Sequence, residues 1–283
     1  MTSAKHAASD QDGSREDESA LDEGDLVTAT RNIAGPKTLR ASGDLRRFAS
    51  ASLRQADVAR SAGDSPGAER YLREALSMFI VLDDRFSAAR ALSMIADLRY
   101  LDGDYLAAAD LNRQAVERMP GDVQALTGLA YAQWRAGSPA DAEATFNEVL
   151  RWDSQVALAL AGRGQIRADL GRYQYALDDL DQALALQLAR EAETDARSAR
   201  ALALAGLGRA PEAHHELAIT LERDPKRSRS RLRAGRIAAI LGEEDKIRNE
   251  IELALSGQPT LSSTEREAAR RVLLALKADT PSA

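Results

Sequence analysis

Small and large apolar residues alternate along this chain at fixed distances from a recurring glycine. The glycines are Gly63, Gly103, Gly137, Gly171, Gly208 and Gly242, separated by 40, 34, 34, 37 and 34 residues. Seven residues before them stand Ala56, Ala96, Ala130, Gly164, Ala201 and Gly235; five after them stand Ala68, Ala108, Ala142, Ala176, Ala213 and Ile247. Nine after come Leu72, Asn112, Phe146, Leu180, Leu217 and Ile251, and twelve after come Ala75, Ala115, Val149, Ala183, Thr220 and Ala254. Small positions let helix backbones approach, and large ones fill the space beside them. A period near 34 built this way predicts one helix pair per glycine, each pair burying its apolar face on its neighbours. Pro120, Pro225 and Pro259, seventeen residues after their glycines, mark the ends of second helices, because proline cannot continue a helix.

In this register the chain resembles the tetratricopeptide repeat family, with Leu126, Leu129, Ala130, Gly137, Ala142 and Phe146 carrying one of the clearest units. The resemblance implies an all-α fold: a right-handed α-solenoid of about six antiparallel helix pairs, at 49–82, 89–122, 123–156, 157–190, 194–227 and 228–261, within an array over 44–261. A capping helix is expected over 262–278, where Ser262 with Glu265 and Thr264 with Glu267 form two overlapping capping-box patterns. The six extra residues before Gly103 fall in Met78–Ser87, and the three before Gly208 around Gln187–Glu193; both read as longer helices or turns.

Composition supports helices packed through aliphatic side chains, since aromatics are only 4% of residues. The absence of cysteine excludes disulfides and thiolate metal sites. Residues 1–43 differ: over 1–25, eight acids between Asp10 and Asp25 face only Lys5 and Arg15, a net charge of −6 that equals that of the whole chain. Such a segment buries too little apolar surface to offset its ordering entropy, so 1–43 is expected to be a disordered acidic tail, as is the short end 279–283. No apolar run is long enough to span a bilayer, which makes a cytoplasmic protein the expectation.

Catalytic chemistry finds no support. Adjacent His214 and His215 diverge by about 100° on a helix and cannot chelate one metal. Gly162 with Gly164, and Gly206 with Gly208, lie on predicted helices without the preceding strand that a dinucleotide loop needs. No cofactor, no metal and no enzyme activity are therefore expected. Two arginines at a core address, Arg163 and Arg200, have acids at the matching address of the second helix, Asp179 and Glu216. In the family such addresses face each other, which predicts the ion pairs Arg163–Asp179 and Arg200–Glu216.

The resemblance places binding on the concave face lined by first helices. Its addresses hold Arg90, Asp97, Tyr100, Gln124, Tyr131 and Trp134, then Gln165 and Ser198, then Arg229, Arg233 and Arg236. An aromatic wall, a floor of small side chains and a basic end are expected in that order. The three arginines at i, i+4 and i+7 share one helix face suited to carboxylates or phosphates. The implied function is a non-catalytic scaffold or adaptor holding a peptide or protein segment, with acidic groups at the arginine end. Two alternatives are RNA or another polyanion on the run from Lys226 to Arg236, which the near-neutral repeat body disfavours, and a self-assembling structural oligomer. A regulatory version places the acidic tail, Asp10–Asp25, on the basic end of the groove.

Overall fold

The computed structural model describes residues 38–278 of the 283-residue chain; the tail reading for 1–37 and that for 279–283 lie outside them. Thirteen α-helices follow in order: α1 Thr38–Ser61, α2 Ser65–Val81, α3 Arg85–Leu101, α4 Tyr105–Arg118, α5 Val123–Arg135, α6 Pro139–Trp152 and α7 Ala157–Asp169. The chain continues through α8 Tyr173–Ala185, α9 Arg190–Gly206, α10 Ala210–Arg223, α11 Ser228–Leu241, α12 Glu244–Ser256 and α13 Ser263–Ala278. Six antiparallel pairs and a final helix build an all-α solenoid, with no strand among the described residues. The first helix starts at Thr38, so residues 38–43, expected in the tail, belong to α1.

All six register glycines have positive φ, from 73° at Gly242 to 94° at Gly137, and sit in the turn between the two helices of a pair. That left-handed conformation is costly for residues with a Cβ, which explains why glycine sets the period. The longer first interval has a specific cause. Asp83, at φ 50°, occupies the same turn between α2 and α3, so residues 63, 83 and 103 repeat one turn. In each the amide of the following aspartate bonds back to the helix just ended: Asp64 N to Ala59 O, Asp84 N to Phe79 O and Asp104 N to Arg99 O, all 2.9 Å. The same three aspartates cap the next helix through their carboxylates, accepting from Gly67, Ser87 and Ala107 amides. Aspartate tolerates the left-handed region better than most residues, so the junction between units became a copy of the turn within them. The extra length before Gly208 lies in α9, which has 17 residues where α5 and α7 have 13.

The alternation of small and large addresses works as knobs in glycine holes. A Cβ added at Gly162 would lie 2.3 Å from Phe146, one at Gly164 2.7 Å from Leu180, and one at Gly235 2.7 Å from Ile251. Each knob is buried, and each contributes roughly 2–3 kcal/mol of transfer free energy. Glycine pairs that superficially suggest a phosphate loop thus serve helix packing. Arg163 meets Asp179 in a two-pronged pair (Nε–Oδ2 2.9 Å, Nη2–Oδ1 2.6 Å), and Arg200 meets Glu216 at 3.0 Å, as expected. Both pairs sit in wider networks: Arg167 also reaches Asp179 and Glu143, and Arg197 also reaches Glu216. His214 is half-exposed, 3.1 Å from Glu243, and His215 is exposed.

Candidate functional site

The concave face divides into a closed half and an open half. In the C-terminal half α7, α9 and α11 pack directly on one another, and the predicted basic end is consumed inside the molecule. Arg233 is only 1% exposed: its guanidinium donates to Asp169 Oδ2 (2.9 Å), Ser198 Oγ (2.9 Å) and the Asp195 carbonyl (3.0 Å), with Gln165 Oε1 at 3.4 Å. Arg236 donates to the Asp169 carboxylate and carbonyl. Arg229 pairs with Glu265 at 3.1 Å and lies over the Trp134 ring, 4.2 Å from its centre. The arginines flanking them are also paired, Arg227 with Asp195 and Arg231 with Glu250. The expected free basic cluster is therefore corrected to a neutralised internal network. Gln165, Ser198 and Arg233, expected to line a groove, are buried as parts of it.

The segment between α12 and α13 completes this closure. Gln258 lies beside the turn that precedes α11, exchanging backbone bonds with Lys226 and Ser228. The chain then returns to the third unit, where Arg135 donates to the Thr260 carbonyl (3.1 Å) and the Thr264 hydroxyl approaches Gly137. Of the two capping-box patterns, Ser262 with Glu265 forms both its bonds: Ser262 N donates to Glu265 Oε2 (2.8 Å), and Glu265 N donates to Ser262 Oγ (3.3 Å). Burial pushes the Glu265 carboxyl up, but the Arg229 charge, the Ser262 hydrogen bonds and Arg135 outweigh it and hold its pKa at about 2, against 4.5 ordinarily.

The N-terminal half stays open. Two adjoining clefts lie along α1, α3 and α5, with Asp97 and Gln124 bordering both. The outer one, about 850 Å³, has Arg60, Arg90 and Met94 on its walls. The inner one, about 580 Å³, is bounded by Tyr100, Asn112, Thr127, Tyr131 and Leu158. Arg90, Asp97 and Gln124 are exposed, as a groove reading needs. Asp97 makes no hydrogen bond or ion pair with any described residue; desolvation by the cleft walls raises its pKa, and Arg60 opposes that rise.

The aromatic wall is split. Tyr100 and Tyr131 border the inner cleft, whereas Trp134 lies beneath Arg229. Tyr131 also packs edge-on against Phe146, and its hydroxyl donates to the Leu158 carbonyl (2.9 Å), so the ring is fixed in place. Burial pushes the Tyr131 phenol up.

Several residues that shape the two halves are not among the expected site. Asp195 and Leu158 stand thirteen residues before their glycines, an address already assigned to the groove, so the register itself points to them. Asp169 and Glu265 carry no such mark. Asn112 is visible as the one amide among Leu72, Phe146, Leu180, Leu217 and Ile251.

Comparison with known proteins agrees with this architecture. Three tetratricopeptide repeat models match residues 47–121, 100–166 and 198–246, together more than half of the chain. Comparison with curated proteins finds no match. Among solved structures, a tetratricopeptide repeat protein from Parabacteroides merdae aligns with a TM-score of 0.58 at 17% identity, over 82% of this chain and 88% of that one. PilW, described as a widely conserved type IV pilus biogenesis factor, aligns with a TM-score of 0.56 at 19% identity, over 80% and 98%. MamA aligns with a TM-score of 0.50 at 18% identity, over 63% and 93%. At these identities the likeness is one of fold. No helix among the described residues is long and apolar enough to cross a membrane. With its helix pairs, its glycine register and three repeat matches in agreement, the chain belongs to the tetratricopeptide repeat family, whose fold generally serves as a scaffold for protein–protein interaction.

Proposed function

We propose that this protein is a non-catalytic adaptor that holds an extended segment of a protein partner in the open, N-terminal half of its groove. The observation that carries the reading is the pair of adjoining clefts along α1, α3 and α5, set against a C-terminal half filled by the chain's own side chains. Tyr100 and Tyr131 offer apolar surface with a hydrogen-bonding edge, the combination that anchors partners well. Arg90 and Asp97, of opposite charge and about two turns apart on one face of α3, supply orientation. The acidic partner end inferred from the arginine run loses its basis, because those arginines already hold acids.

The test uses peptides selected from a displayed random library on the full chain. Asp97→Arg should weaken the selected peptides by at least tenfold, and Lys226→Glu, at the start of the arginine run, should leave them unchanged. The opposite pattern would return the site to the basic end.

A further inference from the structure

The inner cleft is lined by a polar knob at an address where the next unit has an aromatic one. Phe146 of the third unit fills the hole left by Gly162, nine residues before the next register glycine. Gly128 leaves a corresponding hole on α5, and the residue facing it is Asn112, whose amide nitrogen lies 2.8 Å from where a Gly128 Cβ would stand. The carboxamide covers Gly128, is shorter than the ring that covers Gly162 one unit later, and lines the cleft.

Asn112 is also anomalous in its hydrogen bonding. It is 3% exposed, yet its side chain makes no hydrogen bond with any described residue. Its amide atoms are not sealed from the cleft, so the donor and acceptor stay available to whatever occupies that space. Its remaining free direction is the cleft it lines, beside Tyr100, Tyr131, Val156 and Leu158.

We infer that Asn112 is a binding residue that reads a main-chain amide of the bound segment, donating through its NH2 group to a carbonyl and accepting at Oδ1 from an N–H. The neighbouring apolar walls then receive the adjacent side chain of the ligand. The matched donor and acceptor of a carboxamide fit a peptide unit, and the cleft volume suits one apolar side chain with its backbone. This inference rests on the groove reading above and adds the residue that distinguishes a peptide main chain from a purely apolar occupant.

The test uses a peptide selected on the wild-type chain. Asn112→Phe, which copies Phe146 of the next unit, fills the cleft; Asn112→Leu keeps the heavy-atom count of the side chain and removes its hydrogen bonding. Both should weaken the peptide by at least tenfold, while Asn112→Leu melts no lower than wild type. Loss with Phe and full retention with Leu overturns the role of Asn112 and leaves the groove reading standing; retention with both removes the groove reading itself. A second arm needs no altered fold: N-methylation along the peptide should reveal one amide whose methylation weakens binding to wild type but adds nothing in Asn112→Leu. If no amide behaves this way, the inference fails.

Discussion

At the scale of single residues, the buried charges are arranged so that acids are shared. Asp179, 3% exposed, serves both Arg163 and Arg167, while Arg163 has a further partner in Asn147 and Arg167 one in Glu143. Removing the shared acid strands two guanidinium groups; removing one arginine leaves the acid paired. Asp179→Ala is expected to cost about 3 kcal/mol in urea unfolding and Arg163→Ala clearly less, and the reverse order would contradict the shared-acid arrangement. The backbone makes a comparable demand at the turns. Gly103, at φ 86°, should lose about 1 kcal/mol on substitution by alanine, measured the same way, whereas Ala107 one turn later tolerates change because its φ is helical. Both features are legible in the sequence. Arg163 and Asp179 stand at equal distances before and after one glycine, and a helix hairpin brings such positions together.

Among the elements, α13 differs from the repeats in how it is held. Its first turn is fastened by Glu265, which closes a capping box with Ser262 and pairs with Arg229. The sign of its pH dependence follows from its lowered pKa. The folded state favours the ionised carboxylate, so the stabilisation is complete above about 4.5 and is lost as pH falls toward about 2. That shift corresponds to at most about 3 kcal/mol at neutral pH. Urea unfolding of wild type and Glu265→Gln should therefore differ at pH 7 and converge as pH drops below 4; a difference independent of pH would show that the carboxylate charge contributes nothing. The helix and its capping pattern are readable from Ser262–Glu265, but its place is not. Periodicity reports neighbours within and between adjacent units, whereas the segment leading into α13 meets Arg135, 125 residues before Thr260, in the third unit. The turn at Asp83 is hidden for a simpler reason: a register counted on glycines passes over an aspartate that takes the glycine conformation.

Across the whole molecule, the division of the groove follows from curvature. Arg233 reaches Asp169 across 64 residues, from the sixth unit to the fourth, and the acids it meets neutralise a run that reads as basic in one dimension. The addresses identify which face is concave, and Tyr100, Tyr131, Asp97 and Gln124 do line the open clefts there. They do not show where that face closes on itself, because closure depends on packing between non-adjacent units. One consequence concerns polyanions. Six free basic contacts to single-stranded RNA would give a log–log salt slope of about −4, and the paired network predicts no retention at moderate salt and a slope near zero.

The division itself is most directly tested by thiol labelling, since the chain contains no cysteine. Gln124→Cys, in the open half, should react with a maleimide reagent at the rate of a surface thiol and be protected by a peptide selected on the wild-type chain. Ser198→Cys, beneath Arg233, should stay unreactive until the protein unfolds. Comparable labelling of the two native variants would mean that the C-terminal half of the groove is open, and the account of a divided concave face would be wrong.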